Sequence, residues 1–385
     1  MNSRAASRNL SGTREERCAG GRWIGRAMQG GKRRVAYGVH GYGRGHAVRA
    51  QAVLPLLRER HDVLVLAGDE AADLLSADYR VHRLPTLRYV HDAASNCSAW
   101  LTLRRNVPLL ADAMGCGRAL RSVMGLLREF APHVVISDSE LFTHRAAWRM
   151  GIPRISFDHY GVLASCDVGL TGVDRVVCEL ESLAYRLLVN RPHRSVATAF
   201  FSARPLRRGV RIVPPVLREI VRRTRPSDGS HLLVYLSNAH VHFTPTLRRA
   251  LAELDADVRV YGPAEATREG RLEIKPLSVD GFVQDLASCR AVFATAGNQL
   301  IGEAIHFGKG MLLLPEQSLE QRLNARFVQQ WGIGRQVSPG ELSTELFREF
   351  LAGSAELAAR VRAYQRDGLA EAVAAIEQAI GELSR

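Results

Sequence analysis

The chain carries a histidine directly behind a loop that contains three glycines. Residues 35–49 read VAYGVHGYGRGHAVR, in which Gly41, Gly43 and Gly45 precede His46. Glycines allow positive φ angles and close backbone approach, so free N–H groups in such a loop can point at a ligand. A histidine at the start of a helix sits at the positive end of the helix dipole, which disfavours its imidazolium form. His46 is therefore a candidate general base, and a glycine turn with a capping histidine is the alternative.

A second group of small and polar residues lies in the last third of the chain. The loop Thr295-Ala296-Gly297-Asn298 follows a strand-like run and precedes a predicted helix that carries Glu303. Small residues let backbone amides approach a phosphate, and a carboxylate one turn into the helix could accept both hydroxyls of a ribose. The next strand is followed by side chains that suit sugar hydroxyls, namely Glu316, Gln317, Glu320, Gln321 and Asn324. Each has an ordinary alternative as a helix cap or a solvated face, but together they are the parts of a nucleotide-sugar site.

Strand-like runs alternate with helical stretches along most of the chain. In the first half, the pattern predicts strands at 34–39, 63–67, 134–137 and 154–157, and helices at 46–58, 109–130 and 144–150. In the second half, it predicts strands at 232–237, 258–261, 271–274, 291–294 and 311–314. Such alternation is typical of parallel sheets covered by helices on both faces. We therefore predict an α/β fold with two doubly wound, Rossmann-like domains that face each other across a cleft.

Composition suggests where the domains begin and end. The predicted divisions are a disordered basic tail at 1–33, a first domain at 34–204, a linker rich in proline and arginine at 205–230, a second domain at 231–350 and helices at 351–385. One of the terminal helices could pack back on the first domain. Ligands of doubly wound sheets bind beyond the carboxyl ends of the strands, which is where the glycine loop is predicted to lie.

The overall composition is that of an ordinary globular protein with an excess of arginine. Of the 385 residues 46% are hydrophobic and 24% are charged, and no apolar run approaches the ~20 residues that cross a bilayer. The six cysteines are scattered without a CxxC pair, which suits a reducing cytoplasm and argues against a structural zinc site or a disulfide framework.

The net charge of the chain is concentrated at one end. Residues 1–34 hold nine basic and two acidic side chains, so +7 of the net charge of +13 lies there. Nucleotide phosphates, or a peripheral contact with an anionic membrane at its inner face, are compatible with this charge. The tail lacks an interleaving of aromatic with basic residues, so we expect no specific nucleic-acid partner.

The two motifs together resemble those of the GT-B glycosyltransferases. GYGRGHAVR, followed by TAGNQLIGEA, GKGMLLLP, EQRLNA and GIG, is similar to bacterial members related to the peptidoglycan N-acetylglucosaminyltransferase MurG and to the nucleoside-diphosphate-sugar transferases of antibiotic pathways. The resemblance covers nearly the whole chain from Arg33 onward, and the second motif is the more diagnostic. It implies transfer of a sugar from a nucleoside diphosphate, UDP-linked, to an acceptor hydroxyl, with inversion and with neither a metal nor a cofactor besides the donor.

The resemblance also implies roles for particular residues. His46 matches the base that activates the acceptor, and Asp138, directly behind the strand VVIS, matches a carboxylate that orients that base. The residues implied to bind the donor are Gly43, Gly45, Phe282, Thr295, Gly297, Asn298, Glu303, Glu320, Gln321 and Asn324. Among these, Gly297 and Asn298 match the diphosphate loop and Glu303 the ribose-binding residue, while Glu320 and Gln321 match a pair that contacts the sugar.

Phe282 is expected to precede the helix under the nucleobase pocket. Two departures affect the donor site. Asn238-Ala239-His240 stands where relatives often have a glycine-serine pair, and the sugar pair is Glu-Gln where relatives have Gln-Gln.

Other activities compete with transfer. Nucleotide-sugar hydrolases of the pseudaminic acid pathway share a glycine loop followed by Gly-His and a nearby arginine, as Gly45, His46 and Arg49 provide here. Nucleotide-sugar epimerases share the fold, and a non-catalytic binder that uses the arginine-rich tail is a further class. A hydrolase would release free sugar at full speed without an acceptor, whereas binding through the tail would depend strongly on salt.

The acceptor is not identified by the sequence. The variable loop at 84–105, with Tyr89, His91 and Trp100, is expected to bind it. A glycolipid, a polysaccharide end and a small aglycone all remain open. Asp158 and His159 are candidate contributors on the acceptor side, while His40 and His240 fall near predicted strand ends and could line the cleft.

Overall fold

The structure of the protein is a computed structural model that describes residues 32–384, apart from 89, 91–98, 190, 264 and 277. The predicted tail at 1–33 lies outside the described residues except for its last two positions, and so do Tyr89 and His91 of the predicted acceptor loop. Arg33 is already the first residue of a β-strand. None of the described helices is both long enough and apolar enough to cross a bilayer.

The first sheet has seven parallel strands whose order reverses in the middle. Its members are β1 (Arg33–Val39), β2 (His61–Gly68), β3 (Val81–Leu84), β4 (Val134–Asp138), β5 (Arg154–Asp158), β7 (Arg194–Thr198) and β9 (Val210–Val213). They lie in the order β3-β2-β1-β4-β5-β7-β9, and each neighbouring pair is parallel. The chain leaves β1 and β4 toward opposite sides, which opens a crevice beyond the carboxyl ends of these two strands.

The second sheet repeats this order with one antiparallel edge strand. Its members are β10 (Leu232–Tyr235), β11 (Val258–Tyr261), β12 (Thr267–Glu269), β13 (Leu272–Ile274), β14 (Ala291–Ala294), β15 (Met311–Leu313) and β16 (Gly334–Gln336). Their order is β12-β13-β11-β10-β14-β15-β16, so the second crevice lies beyond β10 and β14. Two short strands, β6 (Cys166–Asp167) and β8 (Arg204–Pro205), form a separate antiparallel pair.

Helices connect and cover the strands. In chain order they are α1 (Arg44–Arg60), α2 (Asp69–Leu75), α3 (Ala99–Gly115), α4 (Arg118–Phe130), α5 (Leu141–Arg149), α6 (Gly161–Ser165), α7 (Gly172–Val189), α8 (Glu219–Arg223), α9 (Ala239–His242), α10 (Pro245–Ala252), α11 (Val279–Ser288), α12 (Asn298–His306), α13 (Leu319–Gln330), α14 (Thr344–Ala352), α15 (Ser354–Val361) and α16 (Leu369–Leu383). Short 3-10 helices lie at Pro339–Glu341 and Arg362–Tyr364.

The last helix returns to the first sheet. α1, α2 and α16 pack on one face of this sheet, where Ile376 and Ile380 of α16 join the cluster around Tyr37 and Leu54. α4 and α5 cover the other face. The edge of α16 is held by a 3.0 Å contact between His61 Nε2 and a carboxylate oxygen of Glu377.

The predicted linker at 205–230 is wrong in its first part. Val210–Val213 forms β9 and pairs in parallel with β7, so the first domain extends to residue 213. The strand is too short, and too rich in neighbouring arginine and proline, to show a clear apolar alternation in the sequence.

The predicted helix at 109–130 is two helices. Cys116 adopts a positive φ of 66° at the break, and the side chain of Asp112 accepts hydrogen bonds from the N–H groups of Ala119 and Leu120 in the first turn of α4. An aspartate that caps a new helix start explains why the chain turns here.

Candidate active site

His46 and Asp138 meet in the crevice of the first sheet. His46 is the third residue of α1, directly after the glycine loop that follows β1, and Asp138 is the last residue of β4. Val39 pairs with Asp138 in the sheet, so the two strand ends lie side by side. The Nδ1 atom of His46 is 2.6 Å from Oδ1 of Asp138. The fold thus brings the predicted base and its predicted orienting carboxylate into hydrogen-bond contact.

Arg49 holds the same carboxylate from the next turn of α1. Its Nε donates to Oδ2 of Asp138 at 2.8 Å, and its Nη2 donates to Oδ1 at 2.6 Å. Arg49 and Asp138 are buried, whereas the side chain of His46 is 25% exposed. The sequence prediction left Arg49 out of the catalytic set, although three residues along a helix place its side chain on the same face as His46.

Burial and charge act on Asp138 in opposite directions. Burial by itself raises the pKa of this carboxyl group, but the Arg49 guanidinium and the His46 ring outweigh it and hold the pKa of Asp138 below its ordinary value. Asp138 is therefore an ionised acceptor, and the His46 ring must donate its Nδ1–H to it. That tautomer leaves the lone pair of Nε2 free to accept a proton.

His40 is a neutral neighbour of this group. Its ring centroid lies 5.2 Å from that of His46, with the two rings nearly perpendicular. Burial, and then the nearby His46 ring, lower the pKa of His40 to about 3. Near neutral pH the His40 ring therefore places no positive charge beside the candidate base.

The start of α12 approaches the glycine loop from the second sheet. Gly297 is the N-cap of α12 and, like Gly43 at the start of α1, provides no side-chain hydrogen bond to the helix. A Cβ atom built on Gly45 would lie 3.8 Å from Cβ of Gln299. The starts of α1 and α12 lack side-chain caps and face the same gap between the two sheets. Their free N–H groups and positive dipole ends can bind an anionic group in that gap.

The ends of β10 and β14 are joined beside this gap. Ser237 Oγ lies 2.6 Å from Oγ1 of the buried Thr295, and the hydroxyl of Tyr42 in the glycine loop donates to Oδ1 of Asn238 at 3.4 Å. Asn238 Nδ2 in turn donates to Oε1 of Glu316 at 2.8 Å. The sequence prediction named neither Tyr42 nor Ser237, because a lone tyrosine and serine carry no spacing signal.

Asn324 makes its hydrogen bonds within the protein in this structure, and its role in binding the donor stays a prediction. It is fully buried, its Nδ2 donates to the carbonyl of Ala296 at 2.9 Å, and its Oδ1 lies 3.2 Å from Nε2 of His159. Both of its polar groups are used within the protein, and through His159 it links the second sheet to the first.

Two other residues of the predicted donor set support the loops around the gap. Gln321 Oε1 accepts from the N–H groups of Ala296 and Glu316, each at 3.0 Å. Asn298 is buried, and its Nδ2 lies 3.5 Å from the carbonyl of Thr198 in the first domain. In this structure these amides position the loop backbone.

Glu303 is paired with an arginine that the sequence prediction did not name. Arg218 Nη2 lies 3.2 Å from both carboxylate oxygens of Glu303, and both side chains are buried. Gln299 Nε2 also donates to Oε1 of Glu303 at 3.1 Å. The carboxylate is therefore occupied in this structure, and its binding to ribose stays a prediction.

Phe282 lies inside α11, which corrects the expectation that it precedes that helix. Its ring is buried and packs against Tyr235 at 5.2 Å and Tyr261 at 5.3 Å between ring centroids. The apolar face of α11 explains this position, because Phe282 and Leu286 are one turn apart and both enter the core.

Glu320 is a predicted sugar-binding residue whose carboxylate is partly exposed. One of its oxygens lies 3.7 Å from His159 Nε2, and a third of its side chain is exposed.

The predicted acceptor-side residue Asp158 is buried and accepts hydrogen bonds from Ser156 Oγ and the hydroxyl of Tyr185. His159 is buried as well, so these two residues form part of the framework, while His240 is exposed on α9.

Two cavities formed by the described residues are lined without His46. One of about 630 Å³ is lined by Glu219, Ile220, Arg223, Thr224, Arg225 and Gln284. Another of about 470 Å³ is lined by Asp167, Val168, Gly169, Ser202, Ala203, Arg204 and Phe327. The gap between the two helix starts is narrow, as the close approach of Gly45 and Gln299 requires.

No cluster of three or more His, Cys, Asp or Glu side chains within the described residues could hold a metal ion. The tripeptide Asp255-Ala256-Asp257 lies before β11, where both aspartates face Arg271. That position is at the amino end of the strand, away from the crevice. Independence from metal stays a prediction.

The chain matches a family model over most of its length. The model, described as glycosyl transferase family 1, covers residues 33–354. The chain belongs to this family. A curated relative from Methanosarcina mazei, described as an uncharacterized glycosyltransferase, is 25% identical in an alignment of 347 residues that covers 81% of this chain and 88% of the relative. The prediction of a glycosyltransferase is thereby confirmed.

Solved glycosyltransferase structures share the fold of this family member. The calicheamicin glycosyltransferase CalG4 aligns with a TM-score of 0.61 at 19% identity, over 92% of this chain and 100% of CalG4. MurG of Acinetobacter baumannii aligns with a TM-score of 0.57 at 16% identity, over 90% of this chain and 99% of MurG. The predicted GT-B architecture of this glycosyltransferase is therefore confirmed.

Proposed function

We propose that this glycosyltransferase transfers a sugar from a UDP-linked donor to an acceptor hydroxyl, with inversion at the anomeric carbon and without a metal ion. The observation that carries the proposal is the 2.6 Å contact between His46 and Asp138. Because Nδ1 of His46 donates to Asp138, Nε2 is left as the basic nitrogen. It lies at the carboxyl edge of the first sheet, opposite the start of α12.

The proposed reaction is a single displacement. His46 Nε2 takes the proton of the acceptor hydroxyl while the acceptor oxygen forms a bond to the anomeric carbon. The bond from that carbon to the diphosphate oxygen breaks on the opposite face, and its electron pair leaves with the nucleoside diphosphate. Asp138 stays ionised, because its pKa is lowered, and it holds the His46 ring in the required tautomer.

The departing diphosphate would be received by the first turn of α12. Gly297, in the loop after β14, leaves open space around its Cα, so a phosphate can approach the backbone. The N–H groups and the helix dipole there stabilise negative charge that develops in the transition state. Thr295 and Gln321 shape this loop, and the partly exposed carboxylate of Glu320 is the proposed contact to the sugar.

We place the reaction in a reducing compartment such as the cytoplasm. The thiols of Cys116, Cys166, Cys178 and Cys289 are free. Free thiols in four separate positions are typical of proteins kept reduced.

Substitution of His46 tests the proposal. With a donor found by thermal-shift screening of uridine, thymidine and guanosine diphosphate sugars, we expect His46→Ala to lower kcat by about 100-fold or more, because a positioned base contributes about that much. The melting shift that the donor produces should be retained, since His46 acts on the acceptor. His82→Ala, which removes a partly exposed histidine on the edge strand β3, is the matched control.

Several outcomes would contradict the proposal. Transfer by His46→Ala at the rate of the unmodified protein would exclude the base assignment. Release of free sugar at the full rate without an acceptor would instead indicate a hydrolase. Loss of activity in EDTA, or a product with the anomeric configuration of the donor, would exclude the metal-independent inverting scheme. A lack of stabilisation by every nucleotide in the screen would remove the donor class itself.

A further inference from the structure

The exposed large apolar side chains of the described residues are concentrated on three helices of the first domain. Of the eleven such side chains, all but Leu206 lie on α3, α5 and α7. They are Trp100, Leu103, Val107, Met114, Trp148, Val173, Val176, Leu180, Leu183 and Leu187. Single exposed apolar residues are ordinary, but a concentration of ten on neighbouring helices marks a surface that binds something. We call these ten residues the apolar surface.

The apolar surface consists of two stripes joined by a tryptophan. On α7, Val173, Val176, Leu180, Leu183 and Leu187 follow spacings of three and four residues, which places them on one face of the helix. On α3, Trp100, Leu103, Val107 and Met114 follow spacings of three, four and seven residues, so each stripe extends over 14 residues, or about 20 Å.

Contacts to α5 hold the ends of the two stripes together. Arg149 of α5 donates to the carbonyl of Met114, and Arg145 donates to the carbonyl of Leu187 at 3.3 Å. The guanidinium of Arg145 lies 4.9 Å from the ring of Trp148. Trp148 therefore lies between the carboxyl ends of α3 and α7, and the two stripes belong to one side of the domain.

The charges around the apolar surface are almost all positive. On α3, α4, α5 and α7 the exposed ionisable side chains are Arg104, Arg105, Arg118, Arg121, Arg128, Arg149, Arg175, Glu129 and Glu179. Arg175 and Glu179 neutralise each other at 3.0 Å, and the half-exposed Asp174 of α7 is paired with Arg322 at 2.8 Å, which leaves six arginines and one glutamate. Arg121 and Arg149 are held close to the apolar surface by the carbonyls of Cys116 and Met114.

This combination decides between two kinds of partner. A second copy of the chain would bring a second set of arginines against the first, and like charges on facing surfaces oppose association. A bilayer with anionic lipids offers phosphate groups to the arginines and acyl chains to the leucines and tryptophans. We propose that the apolar surface binds the face of an anionic lipid bilayer. This inference does not depend on the proposed reaction.

Vesicle binding by the full chain tests the proposal. We expect the protein to sediment with vesicles of phosphatidylcholine that contain about one-third phosphatidylglycerol, and to bind pure phosphatidylcholine at least about tenfold more weakly. Added salt should weaken binding to the anionic vesicles, because it screens the arginines. The emission of Trp100 and Trp148 should move to shorter wavelength on binding, and Trp100→Phe should reduce that shift.

Two leucines of equal exposure provide a matched pair of variants. Leu180 on α7 is 63% exposed and Leu206, outside the apolar surface, is 64% exposed. Leu103→Gln combined with Leu180→Gln should lower the affinity for anionic vesicles at least about tenfold, because the bilayer would no longer bury two leucine side chains. Leu206→Gln should leave it unchanged, and circular dichroism should show the same melting temperature for both proteins.

Absence of binding by the unmodified protein would overturn the proposal. Equal losses in the Leu206→Gln and Leu103→Gln/Leu180→Gln proteins would do so as well. Sedimentation velocity supplies a third outcome, because a dimer that becomes a monomer in the Leu103→Gln/Leu180→Gln protein would assign the apolar surface to self-association instead.

Discussion

Asp138 is shared between two partners, and this limits what it contributes to His46. Arg49 binds both of its oxygens at 2.8 and 2.6 Å, while His46 lies 2.6 Å from one of them. A carboxylate that is already neutralised by a guanidinium stabilises an imidazolium less than a free carboxylate would. In this site Asp138 therefore orients the ring and fixes its tautomer.

Replacement of Arg49 should shift the pH dependence of the reaction. Arg49→Gln removes the positive charge that lowers the pKa of the buried Asp138, so the pKa of Asp138 should rise. The full carboxylate charge then acts on His46, and its imidazolium persists to higher pH. We expect the acidic limb of kcat/KM to move to higher pH, because the base is neutral only above its own pKa.

Two readouts separate this effect from a structural one. Arg49→Lys retains the charge and should keep the pH profile closer to that of the unmodified protein, although it cannot bind both oxygens in the same way. NMR titration of the His46 ring reports its pKa without substrate. A titration of His46 that is identical in Arg49→Gln and in the unmodified protein would contradict the assignment.

The candidate active site lies at the carboxyl ends of β1 and β4. β1 ends before the glycine loop, and β4 ends on Asp138, so the crevice follows from the register of these two neighbours. Helix α5 must pack closely beneath them, because a Cβ atom added at Gly38 of β1 would lie 2.3 Å from Oγ1 of Thr143. At this position the glycine is required by packing.

Gly38→Ala should destabilise the protein by about 1–3 kcal/mol, since the added methyl group overpacks a buried contact. Urea unfolding measures the loss. Gly125→Ala is the control, because Gly125 lies within α4 with open space around its Cα. Alanine there should stabilise by up to about 1 kcal/mol through helix propensity. Equal effects at the two glycines would show that the contact with Thr143 is unimportant.

The two domains meet through a mixed set of contacts made by α13. The rings of Phe201 and Phe327 stack at 4.0 Å, His159 reaches Asn324 at 3.2 Å, and Arg322 reaches Asp174 at 2.8 Å. The aromatic stack contributes the apolar part of this interface. The close approach of the two domains narrows the gap in which the donor is proposed to bind.

Loss of the stack should let the domains separate. Phe327→Ala removes a ring that is shared between them, so we expect a larger radius of gyration in small-angle X-ray scattering. Phe347→Ala is the control, since this ring packs at 5.0 Å against Phe293 within the second domain. It should lower stability by about 3–5 kcal/mol without a change in domain spacing of the folded protein. An unchanged radius for Phe327→Ala would show that the polar contacts alone hold the domains together.

The sequence by itself determined the fold class and the position of the candidate base. Strand and helix periods are local, and so is the order of a strand, a glycine loop and a helix, which is why both Rossmann-like sheets and the placement of His46 could be predicted. Asp138 could be named only through the resemblance to the GT-B glycosyltransferases, which implies an orienting carboxylate at this position. Short strands such as β9 escaped prediction, because three or four residues among arginines and prolines carry too little pattern.

Only the tertiary structure decided how the polar side chains are paired. Arg49 is three residues from His46, yet its function depends on Asp138, which lies 89 residues away along the chain. Glu303 reaches Arg218, 85 residues away, and Asn324 reaches His159, 165 residues away. Sequence spacing cannot distinguish a carboxylate or an amide that faces a ligand from one that is satisfied by a distant partner. That distinction depends on burial and hydrogen-bond geometry, which arise only when the two sheets pack together.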